Sequence, residues 1–361
     1  MSGMTRGRLR RLWLNVHLWI GVGLLAAIVP LTVSGAAIMW RAELDRVLAP
    51  QRFAFAPSAA IAPVSAYVSA AERAFDGRLA PMQVVFPEHA GDPVQVMGAP
   101  AGVARKSAKL LAAWLDPATA VVIDKGDPQA GVLGALNVVH KTLLLPVVGH
   151  DAVGWAGLAL LASCVSGLWL WWPRKGGPLK GLRWTRGASQ LFNLHHMVGV
   201  CAGLPLALAA LTGVYLAFPG VVATLFGAAA PPQPAPRMLH VGPIATADDA
   251  LTAARGAAGG ASPTWMALPT DSSAPTWTIQ MAQAGGRDHL EVEVRGRTGE
   301  VQVTPATDDV VSYWTARLHE GVDMPVAWRL AQTLAGLAPL LLAGTGVVMW
   351  LRRRTRRLEL S

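Results

Sequence analysis

Charge is scarce in this sequence. Asp, Glu, Lys and Arg make up 15% of its 361 residues, against about 25% in ordinary soluble domains, which excludes an ordinary cytosolic enzyme. Cysteine is scarcer. The only two, Cys164 and Cys201, each lie inside an apolar run, so no disulfide framework, zinc ribbon or iron–sulfur motif can be built. No C-x-x-C-H occurs, which excludes covalently attached c-type haem. What is present is apolar: 52% of residues, with a mean hydropathy of +0.38. That content excludes disorder for most of the chain. A formal charge of +9 would suit a nucleic-acid partner, but the placement of the charges argues against one.

Four uncharged stretches organise the sequence: Leu12 to Trp40, Ala152 to Pro173, the apolar part of the third at His195 to Phe218, and Leu330 to Leu351. Each carries the roughly 20 apolar residues that cross a bilayer core of about 30 Å, which predicts four spanning helices. Residues 1–11, 174–190 and 352–361 together hold 14 Lys/Arg and one acid, Glu359, whereas the rest of the chain holds 17 basic and 21 acidic residues. Basic residues stay inside, so both termini and the 174–190 linker are expected in the cytoplasm and the segments 41–151 and 219–329 outside. The basic character is then a topology signal with anionic-lipid contact, and no nucleic-acid partner is expected. Arg6 to Arg11 imitate the start of a signal peptide, but the apolar run that follows exceeds the 7–15 residues of such a peptide, so an uncleaved anchor is expected. Trp13, Trp19, Trp40, Trp155, Trp171, Trp172, Trp328 and Trp350 sit near helix ends, as an aromatic belt would.

The chain repeats itself. Asn15-Val16-His17 reappears as Asn193-Leu194-His195, Gly21 as Gly199 and Ser34-Gly35 as Thr212-Gly213, all at an offset of 178. Further on, His140 matches His319, Pro146 matches Pro325, Ser166-Gly167 matches Thr345-Gly346 and Trp171 matches Trp350, at an offset of 179. Each half reads as helix, external segment, helix, which is a parallel internal repeat. In the external segments, helices are predicted over Val64–Phe75 and Ala247–Ala258. Strands are predicted at Met82–Phe86, Val94–Met97, Leu110–Leu115 and Ala120–Ile123, and again at Thr264–Leu268, Thr276–Met281, His289–Val294 and Glu300–Thr304. Pro231-Pro232-Gln233-Pro234 reads as a stiff connector into the second segment. The expected fold is a mainly α membrane protein: four transmembrane helices as a tandem duplication, with two small external α+β domains. The expected divisions are 1–40 (tail and first span), 41–134 (first external domain), 135–173 (short His-bearing helix and second span) and 174–190 (linker). They continue as 191–218 (third span), 219–313 (second external domain) and 314–361 (short His-bearing helix, fourth span and tail).

The repeat sorts the nine histidines. His17 and His195 open their membrane helices on the cytoplasmic side, and His140 and His319 lie just outside the external ends of the next ones. A proline follows the latter two by six residues, so a short helix carrying the imidazole is expected before a break. Ionisable groups at membrane depth are costly and by default functional. From His17 to Gly35 a helix would rise roughly 27 Å, so each Ser/Thr-Gly pair lies at the face opposite its own histidine. Each face then gathers two histidines from one pair of helices and two small residues from the other. Gly35, Gly167, Gly213 and Gly346 would give a flat macrocycle room, with an imidazole on either side of its iron. Noncovalent haem b accepts histidine ligands and needs no cysteine. The expectation is two bis-histidine haems per chain, on His17 with His195 and on His140 with His319. The alternative is that these histidines cap helices or bond headgroups. His196 is the alternate to His195 as ligand, or a quinone contact. His150 is not duplicated, and His89, His240 and His289 read as surface. Trp265, Trp277 and Trp314 are candidate chelate contacts that read more simply as small-domain core.

The His-x-x-x-Gly helix openings, the Ser/Thr-Gly pairs near the far ends and the basic Trp350-Leu351-Arg352-Arg353-Arg354 ending resemble the PepSY-associated transmembrane family. The external segments look like divergent PepSY domains, with the Asp116-Pro117 turn in the expected place; the second departs further from the pattern. The resemblance implies a bacterial inner-membrane protein linked to iron uptake, in a family that includes FoxB-type ferrisiderophore reductases, which carry haem. It also implies the axial-ligand roles for His17, His195, His140 and His319. The expected function is an electron conduit that reduces a ferric siderophore on the periplasmic side. The cytoplasmic parts are too short for a flavin or nicotinamide domain, so the electrons would come from a quinol or a separate reductase. The rival is an anchored PepSY module that binds or restrains a periplasmic partner without redox activity. A permease is a weak third, given few polar groups in the spans.

Overall fold

The computed structural model describes residues 6–57, 60–103, 109–173, 178–184, 187, 189–225, 236–271, 273–283, 289–306 and 310–358. The first half runs through helices α1 (Arg6–Gly23), α2 (Leu25–Ile38) and α3 (Arg41–Leu48), a 3-10 turn, helix α4 (Val64–Ala74) and strands β1 (Leu79–Val85), β2 (Val94–Pro100), β3 (Leu111–Leu115) and β4 (Val122–Gly126). Helices α5 (Gly131–Thr142) and α6 (Gly149–Trp171) complete it. The second half holds α7 (Gln190–Ala217), α8 (Pro219–Leu225), β5 (Arg237–His240), α9 (Ala247–Ala257), β6 (Ser262–Ala267), β7 (Thr276–Ala282), β8 (His289–Arg295) and β9 (Glu300–Ala306). It ends with α10 (Val310–Glu320) and α11 (Val326–Leu358). These elements form two compact units, one of Met1–Arg41, Val132–Ala229 and Val311–Ser361, the other of Ala42–Gly131 and Ala230–Val310. The Pro231–Pro234 connector lies outside the described residues.

In the helical unit α7 packs against both α6 and α11, α1 lies on α6, and α2 lies on α11. Among the described residues, α6, α7 and α11 are the three helices long and apolar enough to cross a membrane. The first apolar segment is a bent pair instead, with α1 and α2 inclined at 67° across Leu24. A glycine with a proline beyond it does not by itself account for the bend, because α7 carries Gly203 and Pro205 and continues as one helix. The short helices α5 and α10 end at tight turns, where Leu143 and Leu144 take φ of 50° and 62° and Asp323 takes 52°. Pro146 and Pro325 lie just ahead of α6 and α11, where proline is tolerated because no helical N–H is needed.

The other unit corrects the expected architecture. The external segments are not two small separate domains: all nine strands form one antiparallel sheet in the order β4-β3-β2-β1-β6-β7-β8-β9-β5. The seam is β1 against β6, with Gln83 opposite Ala267, Val84 opposite Met266 and Val85 opposite Trp265. Each copy alone would end in a strand with unpaired N–H and C=O groups, and pairing the two removes both open edges. Helices α4 and α9 share one core with the sheet, in which Val64, Tyr67, Val84, Phe86 and Val96 from the first copy join Ala254, Met266, Ile279, Met281 and Val292 from the second. Asp248, in the first turn of α9, accepts from the Val64 and Ser65 N–H groups and so caps the start of α4 in the other copy. The protein is therefore mixed α/β, with three straight candidate spans and a bent pair, rather than a mainly α chain of four spanning helices. Helices α4 and α9 and eight of the strands fall within a few residues of their expected places. The ninth, β5, is exposed at all four positions and carries no alternation to reveal it.

Candidate functional site

The helical unit has few polar side chains to bury, and it places them by pattern. Ser34, Ser166, Thr212 and Thr345 are all buried. Each one precedes a glycine, and each touches one of the four duplicated histidines. His17 Nδ1 lies 3.0 Å from Ser166 Oγ and 3.1 Å from the Ser163 carbonyl. His140 Nδ1 lies 2.9 Å from the Leu31 carbonyl and 3.3 Å from Ser34 Oγ. His195 Nδ1 is 2.9 Å from Thr345 Oγ1. His319 Nδ1 is 3.0 Å from Thr212 Oγ1 and 3.1 Å from the Ala209 carbonyl.

The chemistry of these hooks fixes the tautomer. Each hydroxyl already donates to a carbonyl of its own helix: Ser34 to Pro30 at 2.6 Å, Ser166 to Ser163 at 2.9 Å, Thr212 to Leu208 at 2.8 Å and Thr345 to Leu341 at 2.7 Å. It can therefore only accept from the imidazole, as a carbonyl must. The proton sits on Nδ1, and Nε2 is left with its lone pair. For His140 and His319, burial favours the same neutral form. It lowers His140 from its ordinary value, with the Lys141 charge adding to the effect, and takes His319 down to about 4, with His140 opposing a charge on its ring.

The glycine after each hydroxyl makes the seat. A Cβ on Gly35 would stand 2.7 Å from His140 Cε1, one on Gly213 3.0 Å from His319 Cε1, one on Gly167 3.1 Å from His17 Cε1 and one on Gly346 3.6 Å from His195 Cε1. The expectation was that these glycines make room for a macrocycle; the structure puts an imidazole against each of them. What sequence reasoning missed is the hydroxyl beside the glycine. Its signal was there, because all four copies keep Ser or Thr before Gly, but its meaning needs the partner helix.

The rings then meet in pairs. His17 and His195 have centroids 6.4 Å apart, and His140 and His319 have centroids 6.1 Å apart. Two imidazoles bonded through nitrogen to one metal at about 2 Å each have centroids about 6.3 Å apart. Each pair takes one ring from each half of the repeat, whereas each hook stays within one half. Along α7, His195 and Thr212 belong to different pairs and stand about 25 Å apart. Among the described residues no group of three or more His, Cys, Asp or Glu can hold a metal ion. Two neutral nitrogens suit the axial positions of a planar cofactor that fills the equatorial ones itself, and not a four-ligand zinc site.

His196 does not join either pair. Its Nε2 donates to the Gly181 carbonyl at 2.9 Å and its ring stacks on Phe192, which ties α7 to the 178–182 turn. Asn193 serves the same region through two bonds to the Gly187 backbone. In the sheet unit, Trp277 is core. Trp265 lines an open cleft of about 570 Å³ with Val85, Glu88, Thr264, Gln280 and His289.

A family model described as the PepSY-associated TM region matches residues 14–353. No curated protein matches the sequence significantly. Nearly the whole chain lies within the family match, so the protein belongs to the PepSY-associated transmembrane family, and it is a membrane protein.

Proposed function

We propose that this membrane protein carries electrons across the bacterial inner membrane through two haem b groups and reduces a ferric siderophore on the periplasmic side. The observation that carries the proposal is the pairing of four hooked imidazoles at the separation that bis-imidazole ligation requires. Haem, when bound, would supply a one-electron couple in each site. His17 and His195 would hold one haem, and His140 and His319 the other.

The chain's own residues prepare those sites. The hooks keep each Nδ1–H engaged, so the Nε2 lone pair is left free to bind a metal. Donation from Nδ1 to a carbonyl or hydroxyl makes the imidazole a stronger base, which favours the more highly charged metal state and lowers the potential. The seat glycines let the ring lie against the helix without displacing it. With the basic N-terminal residues, linker and tail on the cytoplasmic side, the His17 pair faces the donor and the His140 pair faces the periplasm. A quinol or a separate reductase gives up one electron, and the chelated Fe(III) takes it to become Fe(II), which oxygen ligands hold less tightly.

A pyridine haemochrome assay on purified protein tests this directly. The expected result is two haems b per chain, and dithionite-reduced protein that is reoxidised by a ferric siderophore. Protein without absorption in the Soret region would overturn the conduit. It would leave the rival reading, a membrane-anchored module that binds a periplasmic partner, for which the Trp265 cleft is the site to examine.

A further inference from the structure

The two imidazole pairs are alike in separation and different in orientation. The His17 and His195 planes cross at 86°, whereas the His140 and His319 planes are inclined at 40°. We infer that the Ser/Thr hooks are positioning groups that set these ring planes, so that the protein holds two electronically distinct haems. The inference rests on the haem-ligand reading of the pairs.

An imidazole bound to a metal through Nε2 alone turns easily about that bond. A second attachment at Nδ1 selects one rotation, because the acceptor sits on a neighbouring helix in a fixed direction. Every ring here has that second attachment. The hydroxyls that provide it cannot swing, since each is tied to a carbonyl three or four residues back on its own helix. The seat glycine closes the remaining freedom by bringing the helix backbone up to Cε1. Ring rotation is thus set by the angle between the helix carrying the histidine and the helix carrying the hook. His17 and His195 stand on α1 and α7, which belong to the first and third apolar segments, and His140 and His319 on the short α5 and α10. Two different helix geometries give two different crossing angles.

The angle matters electronically. Each imidazole plane lifts the degeneracy of the two iron d orbitals that overlap with ligand π orbitals. Planes near alignment add their effects and give a rhombic low-spin ferric centre. Crossed planes cancel and give a nearly degenerate, strongly anisotropic one.

Low-temperature electron paramagnetic resonance of the oxidised, full-length, haem-loaded protein tests the inference. The expected spectrum has two components: a single low-field, strongly anisotropic feature from the His17 pair and a three-line rhombic signal from the His140 pair. Ser166→Ala and Thr345→Val should move the anisotropic feature toward the rhombic form and shift the midpoint potential of that haem, with two haems retained and the other signal unchanged. Thr345→Ser, which keeps the hydroxyl, should return the original signal even if the valine variant fails to fold. Two rhombic signals in the unaltered protein, or an unmoved anisotropic feature in both hook variants, would overturn the inference and leave the conduit reading standing. Unaltered protein without haem would overturn both.

Discussion

The helical unit and the sheet unit are built from the same duplication and join their two copies through different chemistry. In the sheet unit the copies merge: β1 pairs with β6, α9 caps α4, and residues of both copies share one apolar core. In the helical unit the copies also pack directly, α6 on α7 and α2 on α11, and each imidazole pair takes one ring from each copy while the hydroxyl hooks stay within a copy. A merged interface stabilises the fold. The imidazole pairs instead bring titratable side chains of the two copies together. Substitutions should therefore separate along this line.

Gly35→Leu should be the most severe in the helical unit. Its side chain must enter space held by His140, and overpacking of this kind displaces the ring rather than the helix. On the proposed haem reading, one of two haems should be lost per chain in the haemochrome assay, with thermal unfolding of the sheet unit unmoved. Loss of both haems, or of none, would break the comparison.

Met266→Ala should do the reverse. Met266 is fully buried at the seam opposite Val84, and removing it costs about 2–5 kcal/mol. Thermal unfolding followed by circular dichroism should show an earlier sheet transition while haem content stays at its original value.

Asp248→Ala removes the inter-copy cap on α4 and should cost about 1 kcal/mol. Chemical denaturation should show this modest change if the cap helps hold the copies together. Tyr67→Phe should have an effect of about the same size or less. Tyr67 is fully buried, accepts from the Ala62 N–H at 2.9 Å and donates to the Pro117 carbonyl, and burial pushes its hydroxyl up to about 12. The phenylalanine removes the hydroxyl, but the Ala62 N–H still donates to the Pro117 carbonyl at 2.8 Å, so the cost should be about 1 kcal/mol or less.

What could be read from the sequence divides along the same line. Local features were legible: α4 and α9 by helical periodicity, the strands by alternation, and the four histidines and their Ser/Thr-Gly counterparts by duplication. Features that depend on a distant partner were not. The β1–β6 seam joins residues about 180 positions apart, and nothing in either strand names its neighbour. The bend at Leu24 was also missed, because the segment's length and apolarity fit a straight span. The glycines were noticed for closeness, and the neighbour the structure shows against each is an imidazole. A flat cofactor and an imidazole both need a missing Cβ, and only the observed contacts distinguish them.

The division of each histidine pair between the two halves has one more consequence. A single repeat carries one ring for each level and can complete neither, so an unduplicated ancestor would have needed to dimerise about a twofold axis before it could grip anything. Such a dimer is bound by its symmetry to treat its partners identically. Fusing the copies releases that constraint: one half can acquire a kink, a different loop or a changed side chain without imposing it on the other, and an entrance and an exit can evolve separately within one polypeptide.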